Sequence, residues 1–316
     1  MNEENDVTWS RVPGDMPRVV GILASPSDPE VIYALPWSLD STALILRSTD
    51  GGLHWHPLGT KPRPRMAVQS MAIASARPGT IVLGAYGAVF RTTDGGETWS
   101  ASELPGPAAM VYALAVSSDG GRVYAGTLTR GLNRSDDGGV TWVRSPELLG
   151  VTSIALDPTN EARVYFARYV NAAPPLGGIF ASTDAGEHWT HSAPFPHQPS
   201  KACHFVTFDA GGTAYALAQV YPVREERPGV WVELKLSPAE QISAGPIGVD
   251  PRRPGVLYVP TRGVYASIDR GEHWRLTGLA DRDLRMVTVS PADPRVVYVS
   301  DGESLFRTDP AGGRSA

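Results

Sequence analysis

Apolar residues along the chain come in short runs, separated by clusters of Gly, Asp and Pro. A run such as TIVLGAY at positions 80–86 is rich in strand-forming residues and is too short for a helix, which needs about 10 or more residues of helical periodicity. Similar runs follow one another closely, with turn residues between them. The pattern predicts a protein built of many short β-strands.

One polar segment recurs between these runs and obeys the pattern Ser/Thr-x-Asp-x-Gly-x-x-Trp. Its five copies occupy residues 48–55, 92–99, 135–142, 182–189 and 267–274. Seven tryptophans, those of the five copies together with Trp9 and Trp231, follow one another at intervals of 42 to 47 residues. A fixed period of this length is typical of repeat architectures.

Each repeat has two apolar runs before the polar segment, a third that enters it and a fourth that carries its Trp. Four short strands in about 43 residues are typical of a propeller blade. We therefore predict an all-β fold, a seven-bladed β-propeller with four antiparallel strands per blade, as a single domain over residues 1–316. The last repeat lacks a Trp strand, so we expect residues 7–13 to supply the outer strand of the closing blade, with the blades running from 18 to 316.

The recurring segment resembles the Asp-box, or BNR repeat, of sialidases, GH74 xyloglucanases, sortilin-type receptors and photosystem II assembly/stability factor-like propellers. The resemblance covers essentially the whole chain and implies the propeller fold. Because enzymes and non-enzymes share the motif, it does not decide the activity. In the enzymes the box lies on the face away from the active site, which implies a site on the opposite face here.

The chemistry of the box also favours a structural role. Its Asp is expected to accept backbone N–H groups within its own turn, its Gly to supply a positive φ, and its Trp to fill apolar space between sheets. The acids are Asp50, Asp94, Asp137, Asp184 and Asp269, and the tryptophans are Trp55, Trp99, Trp142, Trp189 and Trp274. Carboxylates spread around a ring cannot form one acid/base pair. Before Trp231, Glu226 and Pro228 replace the Asp and the Gly, so we expect an irregular fifth blade.

Composition narrows the classes of function. The chain has 316 residues, a net charge of -5 and a pI near 5.8, which argue against broad binding of nucleic-acid phosphates. Its one cysteine, Cys203, allows no intrachain disulfide. Neither a secretory signal nor an apolar stretch of membrane-spanning length is found, so we expect a cytoplasmic, monomeric protein, with export left open if a leader has been removed.

The histidines do not form an obvious metal site. His54, His188 and His273 precede box tryptophans in different repeats and cannot share one metal ion. His191, His197, Cys203 and His204 belong to one connecting segment, but their spacing matches no common zinc pattern. We predict neither a metal nor a cofactor.

Loops on the face opposite the boxes carry the candidate binding residues. In a propeller these loops converge around the mouth of the central channel. Arginine recurs in them, and its guanidinium binds carboxylates and phosphates in bidentate fashion. The predicted ligand-binding residues are Arg18, Arg65, Arg130, Arg168, Arg262, Arg285, Tyr86, Tyr169 and Trp37. We expect a protein or peptide partner, or a small anionic ligand, at this face.

Three hypotheses about function follow. A chain that is almost all blade favours a non-catalytic binding or assembly scaffold, similar to the photosystem II assembly-factor propellers. A glycoside hydrolase is the alternative, with Arg18 and Asp281 as the residues to test; the Arg-Ile-Pro signature of sialidases is absent around Arg18, and GH74 enzymes need two propellers. The third is another enzyme or small-molecule binder at the channel mouth, with Trp37, Tyr86 and Tyr169 as stacking surfaces.

Overall fold

The computed structural model describes residues 7–14, 16–37, 42–60, 67–169, 177–192, 203–218, 221–236 and 246–308. Within these ranges the chain forms seven four-stranded antiparallel sheets, which are the blades of a β-propeller. Blade 1 contains β2 (Val19–Ala24), β3 (Ile32–Pro36), β4 (Ala43–Ser48) and β5 (His56–Thr60). Blade 2 contains β6 (Val68–Ile73), β7 (Ile81–Ala85), β8 (Ala88–Thr92) and β9 (Ser100–Glu103). Blade 3 contains β10 (Val111–Val116), β11 (Val123–Thr127), β12 (Leu132–Ser135) and β13 (Val143–Ser145).

The remaining blades follow the same order. Blade 4 contains β14 (Val151–Asp157), β15 (Asn160–Arg168), β16 (Gly178–Ser182) and β17 (Thr190–Ser192). Blade 5 contains β18 (Cys203–Phe208), β19 (Ala214–Ala218), β20 (Tyr221–Arg227) and β21 (Val230–Glu233). Blade 6 contains β22 (Gly248–Val249), β23 (Leu257–Pro260), β24 (Val264–Ser267) and β25 (Arg275–Gly278). Blade 7 contains β26 (Met286–Val289), β27 (Val297–Ser300), β28 (Leu305–Thr308) and, as its outer strand, β1 (Trp9–Arg11).

The N-terminal strand closes the ring, as predicted. β1 pairs antiparallel with β28, with Trp9 opposite Thr308 and Arg11 opposite Phe306. The Trp9 indole also donates to the Thr277 hydroxyl of blade 6 at 3.3 Å. Two sequence-distant ends of the chain therefore share one sheet, and the outer edge of β28 is covered.

The core lies between neighbouring blades. Every residue of β7, β11 and β19, the second strands of their blades, is buried, because adjacent sheets cover both of their faces. Apolar side chains of successive blades share clusters; Tyr298 of blade 7 belongs to one buried cluster with Ile32 and Ala34 of blade 1. This double burial explains why these strands are continuous apolar runs in the sequence.

Backbone hydrogen bonds define two faces of the ring. On the box face, each box turn lies beside the turn between the first and second strands of its blade; Gly51 donates to Glu30 and Gly95 to Gly79. On the rim face, the turns between second and third strands meet the connections between blades; Trp37 donates to the Arg18 carbonyl at 2.8 Å. The described part of the chain contains no helix long and apolar enough to cross a membrane.

Candidate binding face

The carboxylates of the box acids accept hydrogen bonds from groups of their own turns. Asp50 accepts the Ser48 hydroxyl at 2.7 Å and the His54 backbone N–H at 3.0 Å, and the Gly52 N–H donates to the Ser48 hydroxyl at 2.8 Å. Gly52 has φ 95°, a left-handed conformation that favours glycine. Burial alone would raise the pKa of Asp50, but the hydrogen bonds from His54 and Ser48 outweigh it and hold that pKa at about 2.

The residue before each box Trp completes the turn in one of two ways. In three boxes it is a histidine whose Nδ1 lies 2.7 Å from the second carboxylate oxygen, in the pairs His54–Asp50, His188–Asp184 and His273–Asp269. In the other two a threonine hydroxyl does the same, in the pairs Thr98–Asp94 and Thr141–Asp137. Because a hydroxyl and an imidazole serve alike, the histidines act here as hydrogen-bonding partners of the turn.

The box tryptophans connect blades. The Trp142 indole of blade 3 donates to the Ser102 hydroxyl of blade 2 at 3.0 Å, whereas the Trp99 indole donates to Gly96 within its own box at 2.9 Å. The Trp189 indole likewise donates to Gly186 at 3.1 Å. Trp55 and Trp274 pack against apolar clusters shared with the preceding blade.

Blade 5 is irregular, but a different acid from the expected one holds its hairpin. Glu226, which the sequence places in the Asp position, pairs with Arg224 at the surface. The neighbouring Glu225, whose side chain is 2% exposed, accepts the Gly229 backbone N–H at 2.9 Å. A register shift between Glu225 and Arg227 moves the hairpin by one residue, so counting back from the Trp misidentified the acid.

Sequence reasoning also missed a set of arginines on the box face. Arg47, Arg91, Arg134 and Arg307 come immediately before the Ser or Thr of a box, and Arg224 comes before Glu225, which accepts the equivalent glycine N–H in blade 5. Arg307 of blade 7 forms two 2.8 Å bonds with Glu30 of blade 1, and Arg224 of blade 5 donates to the Arg270 carbonyl of blade 6 at 2.9 Å. The signal was present as a recurring Arg before the box Ser or Thr. The side chains of Arg134, Arg224 and Arg307 thus join one blade to the next.

On the rim face, the predicted arginines of blades 6, 7 and 1 have acidic partners. Arg18 lies 3.5 Å from Glu303 and stacks on Trp37, 5.3 Å from the ring centroid. Arg285 lies 2.9 Å from Asp283, and Arg262 lies 3.9 Å from Asp281. An anionic ligand would therefore have to compete with carboxylates of the protein on this part of the rim.

The other two predicted arginines that the structure describes are Arg130 of blade 3 and Arg168 of blade 4. Neither has such a partner among the described residues. Arg130 is exposed in the turn after β11, and within the described ranges no carboxylate lies within salt-bridge distance of either residue. The two segments are tied together through Gly150, which donates to the Leu128 carbonyl at 2.9 Å and accepts from Tyr169 at 2.8 Å. Arg130 and Arg168 thus belong to adjacent blades.

Arg168 differs from its predicted environment, because it is not an exposed loop residue. It is the last residue of β15, is 4% exposed, and stacks on Phe180 with 5.3 Å between the guanidinium carbon and the ring centroid. Its Nε has no hydrogen-bond partner among the described residues. Burial lowers the pKa of Arg168, and no charge among the described residues opposes the shift.

Large aromatic side chains are exposed on the same face. Trp37 is 59% exposed, Tyr86 58% and Tyr112 45%. Tyr169 stacks on His204 of the next blade, with ring centroids 4.9 Å apart, and burial lowers the pKa of that histidine. Of the other candidates, Arg65 lies outside the described residues. The described histidines, cysteine and acids include no group of three or more placed to hold a metal ion.

Comparisons with known proteins support both the Asp-box repeat and the propeller fold. The family model of the BNR/Asp-box repeat matches residues 90–101, which contain the box of blade 2. The chain is a seven-bladed β-propeller with a BNR/Asp-box repeat in blade 2.

Proteins similar to this β-propeller include enzymes and an assembly factor. A xyloglucanase of Paenibacillus sp. is 26% identical over 358 residues, covering 89% of this chain and 33% of the relative. The photosystem II assembly protein Ycf48 of Synechococcus sp. (strain JA-2-3B'a(2-13)) is 26% identical over 252 residues, covering 75% and 70%. A solved structure, YCF48 bound to D1 peptide, superposes with a TM-score of 0.70 at 14% identity over 98% of this chain and 99% of that one. The chain thus spans about a third of the xyloglucanase.

Proposed function

We propose that this propeller is a non-catalytic binding scaffold that recognises an acidic protein segment at its rim face. The observation that carries the proposal is Arg168, a buried arginine with an unpartnered Nε and no carboxylate beside it in the described structure. A buried guanidinium is costly to keep without an anion, and a carboxylate accepts two parallel N–H bonds from it. Arg130 adds a second cation on the adjacent blade.

The surroundings of the two arginines suit a protein ligand. Tyr86 and Tyr112, on blades 2 and 3, expose large aromatic surfaces on the same face. Tyrosine and arginine are the residue types that carry much of the binding energy at protein interfaces. The likeness over nearly the full length of both chains to a Ycf48 structure that holds a peptide supports this assignment. We infer that an extended segment lies across the rim of blades 2 to 4, with its acidic groups at Arg130 and Arg168.

Selection of a random peptide library displayed on phage against the immobilised protein tests the proposal. We expect enrichment of Asp and Glu in the bound peptides and at least tenfold weaker binding after combined Arg130→Ala and Arg168→Met substitution, because charge-assisted bonds are lost. The matched control is Arg77→Ala, an exposed arginine on the box face, which should leave affinity unchanged. Peptides without acidic enrichment, or equal binding to the double variant, would refute the proposal.

Glycoside hydrolysis is the second candidate, favoured by the xyloglucanase relatives and by one backbone feature. Asp281, at the rim beside Arg262, has φ 62°, a left-handed conformation that is uncommon for non-glycine residues and that aspartate adopts more readily than most. Its side chain is exposed and faces solvent. Release of reducing sugar from xyloglucan that disappears in Asp281→Asn and Arg18→Ala variants would establish this alternative over the scaffold.

A further inference from the structure

The inner strands of five blades share a feature that the repeat pattern does not reveal. Each has one extra residue near its rim end, where the partner strand has none; Val68 and Ser70 pair with the consecutive residues Ala85 and Gly84, so Gln69 is left over. The extra residues are Val20, Gln69, Tyr112, Thr152 and His204. β-Bulges of this kind redirect side chains and are frequent beside binding sites.

The bulged side chains of blades 2, 3 and 4 line the central channel. This cavity has a volume of about 620 Å³, and Gln69, Tyr112 and Thr152 contribute to its wall at the rim end. Further in, the wall is largely apolar and includes Met71, Leu114 and Phe205. A space of this size is within the range of cavities that bind small ligands.

Hydrogen bonds beside these bulges join the inner strands of blades 2 and 3 and of blades 4 and 5. The Ser70 hydroxyl of blade 2 donates to the Val111 carbonyl of blade 3 at 2.9 Å, and the Ser153 hydroxyl of blade 4 accepts the Val206 N–H of blade 5 at 3.2 Å. The Thr152 hydroxyl donates to backbone carbonyls and is already used. The entrance is therefore built by neighbouring blades held in fixed relation.

Two polar groups at this entrance remain available to a ligand. Gln69 is exposed and Tyr112 is 45% exposed, and neither side chain has a hydrogen-bond partner within the described ranges. The Gln69 amide offers a donor and an acceptor, and the Tyr112 hydroxyl offers both as well. An amide and a hydroxyl both donate and accept hydrogen bonds, so together they match the N–H and C=O of an uncharged amide rather than an anion.

We infer that the channel entrance binds the backbone amide of one residue of the bound segment, whose apolar side chain enters the channel. Gln69 and Tyr112 hydrogen-bond to the N–H and C=O of that residue, and its side chain packs against Met71 and Leu114. This inference rests on the proposed function and assigns the ligand an apolar anchor next to its acidic groups. The apolar anchor lies in the channel, whereas the acidic groups lie at the arginines of blades 3 and 4.

The test uses N-acetyl-L-leucinamide, which contains one apolar side chain between two amides and no charge. Methionine methyl NMR provides a local readout, because Met71 lies in the channel wall and its resonance is assigned by comparison with Met71→Leu. We expect a saturable shift of the Met71 methyl with a dissociation constant on the order of 1 mM, as is usual for so small a ligand. N-acetyl-L-aspartamide should cause no such shift.

The variant Gln69→Leu/Tyr112→Phe keeps both side chains similar in size while removing the available hydrogen-bonding groups, and it should weaken binding roughly tenfold. Tyr221→Phe, an exposed tyrosine of blade 5 outside the channel wall, should bind as the parent does. No shift of Met71, or equal binding by the double variant, would overturn the inference. If acidic peptides are selected but the leucinamide does not bind, the anchor is wrong and the scaffold function stands; the reverse result refutes the scaffold function alone.

Discussion

Arg163 and Arg168 lie in the same strand, β15, and their environments differ sharply. Arg163, near the box face, pairs with Asp157 at 2.9 Å and with the buried Glu225 of the next blade, and it stacks on Tyr165. Arg168, at the rim end, stacks on Phe180 but has no acidic partner among the described residues. The first arginine completes a network inside the protein, and the second has a binding capacity that the described protein does not use.

The same contrast extends to the two faces. On the box face, Arg224 and Arg307 bond to the next blade, and the box acids are bonded within their turns. On the rim face, arginines are either paired with exposed carboxylates or left without one. Groups whose bonds are complete stabilise the ring, whereas a costly unpaired group is expected where a ligand binds. The predictions below test this division, beginning with the largest effect.

Replacing Arg163 should destabilise the ring most. Arg163→Met leaves Glu225 buried without its cation, and breaking a buried pair from one side costs about 3–5 kcal/mol. The measurement is the free energy of unfolding in urea. The double variant Arg163→Met/Glu225→Gln should recover part of the loss, because the unpaired charge is gone. A change below about 1 kcal/mol for the single variant would contradict the structural role of this network.

The box acids should make stability depend on acidity. The pKa values of Asp50 and Asp269 are lowered from 3.8 to about 2 in the folded protein, so the stability they contribute is complete above about pH 4 and is lost as pH falls through about 2. Urea midpoints at pH 7, 4, 3 and 2 measure this loss. In Asp50→Asn/Asp269→Asn the midpoint should be lower at pH 7 and should change less below pH 4. If the urea midpoint of the variant declined as steeply below pH 4 as that of the parent, the role of these turns would be contradicted.

The smallest effects are expected where rim arginines already have partners. Arg285→Ala should weaken binding of a selected acidic peptide only about twofold to threefold, because Asp283 neutralises much of the charge. Arg130→Ala should weaken it about tenfold. Titrations at two salt concentrations measure both, and the difference between the variants should narrow at high salt. Equal losses of peptide affinity in the two variants would show that pairing with a neighbouring carboxylate does not determine which rim arginines bind the peptide.

The fold could be predicted because its signals are local and repeated. The box pattern, the regular spacing of the tryptophans and the short apolar runs occur within single blades, so each copy supports the same conclusion. The pairing of β1 with β28 followed from the missing strand of the last repeat. In contrast, the one-residue shift that makes Glu225 the acid of blade 5 depends on a bulge in the hairpin, which spacing from Trp231 does not reveal.

The site was only partly predictable because its properties arise between blades. Sequence reasoning identified arginines in the rim loops, but it could not determine that Arg18 and Arg285 meet carboxylates or that Arg168 is buried in a strand end. Pairing and burial depend on residues distant in the sequence. Gln69 and Tyr112 were missed altogether, since a bulge in an inner strand leaves no periodic mark.

The most direct test of the account measures two properties of Arg168→Met together. Methionine preserves packing on Phe180 and removes a buried cation, so the free energy of unfolding should be unchanged or higher by about 1 kcal/mol. Affinity for a selected acidic peptide should fall at least tenfold. A loss of stability comparable to that of Arg163→Met, with peptide affinity unchanged, would show that Arg168 is a structural residue and would contradict the central claim.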